Sequence, residues 1–333
     1  MTTAQLVVVI AIALAFDFTN GFHDTANAVA TSVSTRALSP RKAVLIAAVM
    51  NFLGAFSSTK VAQTVGGGLI NTTPGFVNAH VLLAALTGAI GWNLLTWRLG
   101  LPSSSSHALV GGLIGAALAR GGPDPVDWGA LWNKVVWPGL TSPVIGFLLA
   151  GLLMVLILWA FRRVRPTPLN RGFRLSQIAS GSFLAFAHGT NDAQKTMGVM
   201  ALALYASHRT SSPTTIPDWV IAAAALSMAL GTYIGGWRIM RTMGTRIFKL
   251  RPPQGFASQV TASAVLYTVA TKYGFPVSTT HVISGSVMGA GATTRISAVR
   301  WGVAADMVMA WLLTIPAAGL VAAGVYELLN AAF

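Results

Sequence analysis

Two short polar clusters interrupt an otherwise apolar chain. In residues 21–30, GFHDTANAVA, Asp24 is followed three positions later by Asn27; in residues 189–198, GTNDAQKTMG, Asp192 is followed three positions later by Lys195. A spacing of three puts both members of each pair on one side of a helix. A charge at the centre of a bilayer costs about 2.5–3.5 kcal/mol on insertion scales and marks function by default. Carboxylates repel anions, so Asp24 and Asp192 are expected to handle a cation, sodium or a proton. Asn20, Asn27 and Asn191 offer amide oxygens close by, and an all-oxygen donor set suits a hard ion. The plainer alternative for both aspartates is a cap or a structural polar contact. Lys195 can pair with Asp192 as a tethered cation, touch an oxyanion, or snorkel to an interface.

A second pair of motifs calls for an anion. Residues 100–116, GLPSSSSHALVGGLIGA, match residues 274–290, GFPVSTTHVISGSVMGA. Each has a proline that disturbs the helix, then hydroxyls, a histidine and spaced glycines. One such motif reads as a capped helix start with small residues for close packing. Two copies favour a broken helix whose positive N-terminus, ringed by Ser104, Ser105, Ser106, Ser278, Thr279 and Thr280, binds a small oxyanion. His23, His107, His188 and His281 lie in or beside these motifs and could relay protons or gather around a transition metal. No two of them stand at i,i+4, so no metal site is assigned and no cofactor is expected. Residues 189–196 nearly spell a phosphate-binding loop. Gln194 stands where its second glycine belongs, and no strand precedes it, which excludes ATP binding.

The elements that must hold these residues are membrane helices. Of 333 residues, 54% are hydrophobic and 9% charged, against about 25% charged in a soluble domain. Apolar runs long enough to span a bilayer recur roughly at 4–30, 43–70, 79–97, 101–119, 135–160, 175–206, 218–236, 255–271, 275–292 and 299–330. The first run lacks the basic start of a cleaved signal and is expected to be retained. The absence of cysteine excludes disulfides and thiolate metal sites. The net charge of +14 is spread over short loops, which argues against nucleic acid as a partner. With an outside N-terminus, sixteen basic residues fall on the cytoplasmic side and five outside, as the positive-inside rule requires. Trp92, Trp97, Trp128, Trp132, Trp137, Trp219, Trp237 and Trp301 are expected to form interfacial belts. Asp17 and Asp306 also fall in apolar runs. Asp17 corresponds to Ala185 in the second copy and lies outside the duplicated site.

The motifs recur in the same order about 170 residues apart, with aspartate-to-histidine separations of 83 and 89 residues. Each copy holds five crossings, so the second runs upside down relative to the first. The expected fold is an all-α polytopic membrane protein of two inverted repeats, 1–160 and 175–333, joined by a basic cytoplasmic loop, 161–174. Broken or re-entrant helices meet at a central site, as in secondary transporters.

Together GFHDTANAVAT, GLPSSSSH, HGTNDAQK and GFPVSTTH, spread over almost the whole chain, resemble the inorganic phosphate transporter (PiT) family, in its bacterial low-affinity form. The resemblance implies a transporter, not an enzyme, that takes up inorganic phosphate across the inner membrane, as a homodimer. Carried over, it assigns Asp24, Asn27, Asn191 and Asp192 to cation handling and the six hydroxyl residues to phosphate. Sodium-coupled relatives do not match Lys195, whose ammonium would repel sodium at the second site. The NDAQK variant is similar to members coupled to protons, some carrying metal–phosphate complexes. Proton symport is therefore the expected mode. Sodium coupling and sulfate transport are the alternatives of the same class; an anion channel and a divalent metal transporter are those of another.

Overall fold

The computed structural model describes residues 1–73 and 75–332. Among these the chain is helical throughout, with one isolated antiparallel bridge, Ile70 to Val126. The elements are α1 (Thr3–Ser34), α2 (Pro40–Gly54), α3 (Lys60–Gly67), α4 (Ala79–Leu99), α5 (Ser105–Gly121), α6 (Trp128–Leu131), α7 (Trp137–Ala160), α8 (Pro166–Ala206), α9 (Asp218–Ile234), α10 (Trp237–Arg241), α11 (Pro252–Thr268), α12 (Thr279–Ala292) and α13 (Trp301–Ala332). A π-turn joins α6 to α7, so residues 128–160 form one long helix.

Local chemistry sets the helix starts. Thr2 and Gln5 cap α1 reciprocally, through Gln5 N–H to Thr2 Oγ1 (3.2 Å) and Thr2 N–H to Gln5 Oε1 (2.9 Å). Pro40, Pro166 and Pro252 open α2, α8 and α11, where a missing N–H costs nothing. Asn78 caps α4. That helix ends at Gly100, whose φ of 69° is left-handed, and Gly274 ends the π-turn after α11 in the same way, at 66°. Each of these glycines starts a short tip, 101–104 or 275–278, from which the chain returns as α5 or α12.

The solvent logic of the bundle is that of a membrane protein. Leu148, Leu152 and Trp159 on α7, and Leu320 and Leu328 on α13, are exposed, while the interior holds carboxylates, amides and hydroxyls. Such apolar faces would aggregate in water and are at home in lipid. Helices α1, α4 and α13 and the 128–160 helix are long and apolar enough to cross a bilayer, and α9 with Trp237–Gly244 forms a pair bent by 60°. The run expected at 43–70 is broken by residues 55–59 into α2 and α3. Residues 166–174, expected as part of a loop, are helical and extend α8. Trp128, Trp132, Trp137, Trp219, Trp237 and Trp301 are exposed, as a belt requires. Trp92 and Trp97 face inward instead: Trp92 Nε1–H donates to Thr314 Oγ1 (3.0 Å), and Trp97 packs on Phe22. Asp306 is exposed near the start of α13 and takes no part in the interior.

The helices that follow the two hairpins exchange partners: α7 packs along α12, and α13 along α5. Glycine allows these close contacts. A Cβ at Gly111 or Gly115 would strike the α13 main chain at Ile315 or Gly319, and one at Gly285 or Gly289 the α7 main chain at Pro143 or Phe147. Gly115→Ala is expected to cost about 1–3 kcal/mol, read as a lower Tm in detergent. Gly324→Ala, with open space around its Cβ, is expected to be neutral or stabilising by up to about 1 kcal/mol.

Candidate functional site

Both polar clusters lie within unbroken helix, Asp24 in α1 and Asp192 in α8, and the two helices pack against each other. The hairpin tips close on them. Ser104 caps α5 by accepting from His107 N–H (3.2 Å), and Ser278 caps α12 by accepting from His281 N–H (3.3 Å). The tips are held by their carbonyls. Trp311 Nε1–H donates to Pro102 O (2.9 Å), and Thr242 Oγ1–H to Gly100 O (2.9 Å). Val277 O accepts from Asn191 Nδ2 (2.7 Å) and from Ser106 Oγ (3.2 Å).

All fifteen residues expected at the site are buried, none more than 5% exposed, so this conformation closes the site to bulk water. Asn27 Nδ2 donates to Thr280 Oγ1 (2.8 Å), joining the first cluster to the second hydroxyl tip. His23 bridges Asp24 Oδ1 (2.6 Å, from Nδ1) to Thr96 Oγ1 (3.2 Å) and Ser103 Oγ (3.4 Å), both from Nε2. Asp192 Oδ1 accepts from Lys195 Nζ (2.5 Å) and from Asn191 Nδ2 (2.8 Å). His188 Nε2 lies 3.4 Å from Asp192 Oδ2, and its Nδ1 lies 3.1 Å from Asn51 Oδ1. His107 and His281 make no hydrogen bond or ion pair with the carboxylates among the described residues. Their rings meet edge to face, with centroids 4.8 Å apart, and His281 Nδ1–H donates to Gly139 O (3.0 Å). These two therefore pack the ends of the tips, while His23 and His188 touch the acids.

Gln194, which excluded the ATP loop, has a structural task. Its Oε1 accepts from the N–H groups of Val61 (2.8 Å) and Ala62 (3.3 Å), satisfying the first turn of α3 after the break. Asn51, Thr96, Ser103, Thr232 and Trp311 belong to the site's network, though sequence reasoning does not single them out. Asn51 is the one with a visible signal, a lone amide in the apolar run 43–56. Its Nδ2 donates to Thr232 Oγ1 (2.9 Å).

Chemically, the arrangement pairs two hydroxyl-ringed helix N-termini, fit for an oxyanion, with a carboxylate centre fit for a cation. Asp24, His188 and Asp192 each offer a ligand atom within 4.8 Å of the others, a grouping that could hold a metal ion.

A family model, described as the phosphate transporter family, matches residues 20–322. The chain belongs to the phosphate transporter family. It is 49% identical over 322 residues to a probable low-affinity inorganic phosphate transporter of Rhizobium meliloti, covering 96% of this chain and 95% of that protein. Against a protein of the same description in Bacillus subtilis it is 44% identical, covering 98% of each. In Mycobacterium tuberculosis another relative so described is 48% identical over 98% of this chain and 78% of its own length. A solved structure, described as "The sodium-dependent phosphate transporter", shares the fold, with a TM-score of 0.90 and 24% identity, over 99% of this chain and 100% of that one. As a member of a transporter family with apolar, lipid-facing helices, the protein is a multi-pass membrane transporter and not an enzyme.

Removing Lys195 would strand the Asp192 carboxylate in the buried interior. Lys195→Met is expected to destabilise the protein by about 3–5 kcal/mol, the cost of an uncompensated buried charge. Adding Asp192→Asn should recover most of that loss, as thermal unfolding in detergent would show.

Proposed function

We propose that this protein takes up inorganic phosphate by proton symport across the cytoplasmic (inner) membrane. The observation that carries the reading is the Lys195–Asp192 ion pair at 2.5 Å. It fills, with a tethered ammonium, the place where a free cation would otherwise neutralise Asp192. Sodium is then repelled at that carboxylate, and a proton is the cation that can still be carried. Phosphate is held by Ser104, Ser105, Ser106, Ser278, Thr279 and Thr280 at the N-termini of α5 and α12. Ser105 Oγ supports this assignment, being buried without a hydrogen-bond partner among the described residues. Asp24, Asn27, Asn191, Asp192 and Lys195 couple the ion, and His23 and His188 relay protons to the acids they touch.

The inverted architecture belongs to the same proposal. Corresponding residues make corresponding contacts: His23 with Ser103 in the first half, and Asn191 with Val277 in the second. Lys195 breaks the match. Asn27 reaches Thr280, yet Lys195 turns back to Asp192 and leaves Ser106 to Val277 O. The homodimer implied by the family resemblance is part of this reading.

Sodium coupling, or carriage of a divalent metal with phosphate, is the second reading. The convergence of Asp24, His188 and Asp192 favours it, as does the sodium dependence stated for the solved relative. Proteoliposomes with labelled phosphate separate the two. An inward pH gradient is expected to drive accumulation and a sodium gradient alone to drive none; the opposite result overturns the proton reading. Lys195→Asn, which recreates the first cluster, is expected to slow proton-driven uptake about tenfold, a loss of roughly 1.4 kcal/mol, and to bring in sodium stimulation.

A further inference from the structure

The two halves differ at Asp17 as well as at Lys195, and these two residues stand on packed helices, α1 and α8. Asp17 lies seven residues before Asp24 on α1, about 10 Å along the helix axis, and its counterpart in the second half is Ala185. Residues 17, 20, 24 and 27 follow one face of α1. Asp17 is wholly buried, and neither carboxylate oxygen has a hydrogen-bond partner among the described residues. Asn20, the next residue on that face, is equally buried, and both its side-chain polar atoms lack partners. Across the interface, Thr196 of α8 lies beside Asp17, buried and with its own Oγ1 unpartnered. Three polar groups without partners thus line the α1–α8 contact, running from the central carboxylates toward the N-terminal end of α1.

An isolated carboxylate in such a place does not remain bare. It takes a proton, or it pairs with a cation. The charged groups acting on it are Asp192 and Lys195, both from α8; His188, one turn before Asp192, and His23 and Asp24 on its own helix lie further along the same stripe. Neighbouring α9 carries titratable residues only near its ends, Asp218 and Tyr233, as does α4, with His80 and Arg98. Helix α2 has only Arg41 and Lys42 at its start, and α10 only Arg238 and Arg241. Helices α5 and α12, which also touch α1, bring His107 and His281; of all these groups, Lys195 is the cation that acts on Asp17.

We propose that Asp17 is a proton-binding site of the transport cycle and the second partner of the Lys195 ammonium. With Lys195 on Asp192, the Asp17 carboxyl holds its proton and is neutral. When the O–H bond breaks and the proton passes to water, the carboxylate left behind is met by the ammonium, which leaves Asp192. Each state keeps one buried charge pair, and the Asp192 carboxylate, uncovered only when Asp17 is ionised, takes up a proton in its turn so that no buried charge is left alone. The Thr196 hydroxyl can hand the proton on, and the Asn20 amide can hydrogen-bond the carboxyl in either state.

This inference rests on the proton-symport reading, and its test separates the two. Asp17→Asn, close in shape and unable to release a proton, is reconstituted with wild type and Asp17→Glu. Asp17→Asn is expected to lose pH-gradient-driven accumulation to background. Phosphate counterflow at equal pH should remain detectable in it and lose the pH dependence that wild type shows. Asp17→Glu should regain accumulation. Wild-type accumulation in Asp17→Asn, under a pH gradient that drives the wild type, overturns the inference alone. Loss of counterflow together with accumulation also overturns it, making Asp17 a packing residue. A wild type driven by sodium and not by protons overturns the symport reading itself.

Discussion

A polar group inside a bilayer must find a partner within the protein, and this constraint organises the whole interior. The Lys195–Asp192 pair shows it most sharply. Neither charge could be held there alone, and the pair survives because Asn191, His188 and a fully buried shell surround it. The same rule explains why the hairpin tips lean on carbonyl acceptors: a broken helix exposes main-chain groups, and Trp311, Thr242, Asn191 and Ser106 satisfy those at the tips.

Close packing is the second condition. A site built from two helices and two tips holds its geometry only if the tips cannot drift. The glycine faces of α5 and α12 press against α13 and α7, so each hairpin is clamped by the helix that follows the other one. Buried polar residues from the two halves then share one closed space, and any movement of one half must be felt by the other. That is the mechanical requirement of alternating access.

Pseudo-symmetry makes the departures from it informative. Where the halves agree, as in the caps by Ser104 and Ser278, the residues serve the architecture of both. Where they disagree, the chain has specialised. His23 stands opposite Asn191, Asn20 opposite His188, Asn27 opposite Lys195, and Asp17 opposite Ala185. These four mismatches place every ionisable group of the α1–α8 centre named above other than Asp24 and Asp192 themselves. In the proposed cycle, ion choice resides in these differences between the halves.

Much was determined by sequence alone. Hydropathy and the scarcity of charge require membrane helices, the repeated motifs name both carboxylates and both hydroxyl tips, and the i,i+3 spacing of Asp192 and Lys195 is enough to pair them. These are local properties, carried by periodicity and by short-range geometry. The break between α2 and α3 was not legible, because Gln194, which satisfies the freed N–H groups, is more than 130 positions away. Nor were the inward tryptophans, since position near a helix end does not say which face the neighbouring helices cover. Among the histidines, His23 and His188 reach the acids through local spacing, i,i+1 and i,i+4, whereas only tertiary structure set the rings of His107 and His281 together at the tips. It alone set Asp17 beside Thr196. Contacts between α1 and α8 join residues about 170 positions apart, and no local pattern records which side chains of two packed helices will meet.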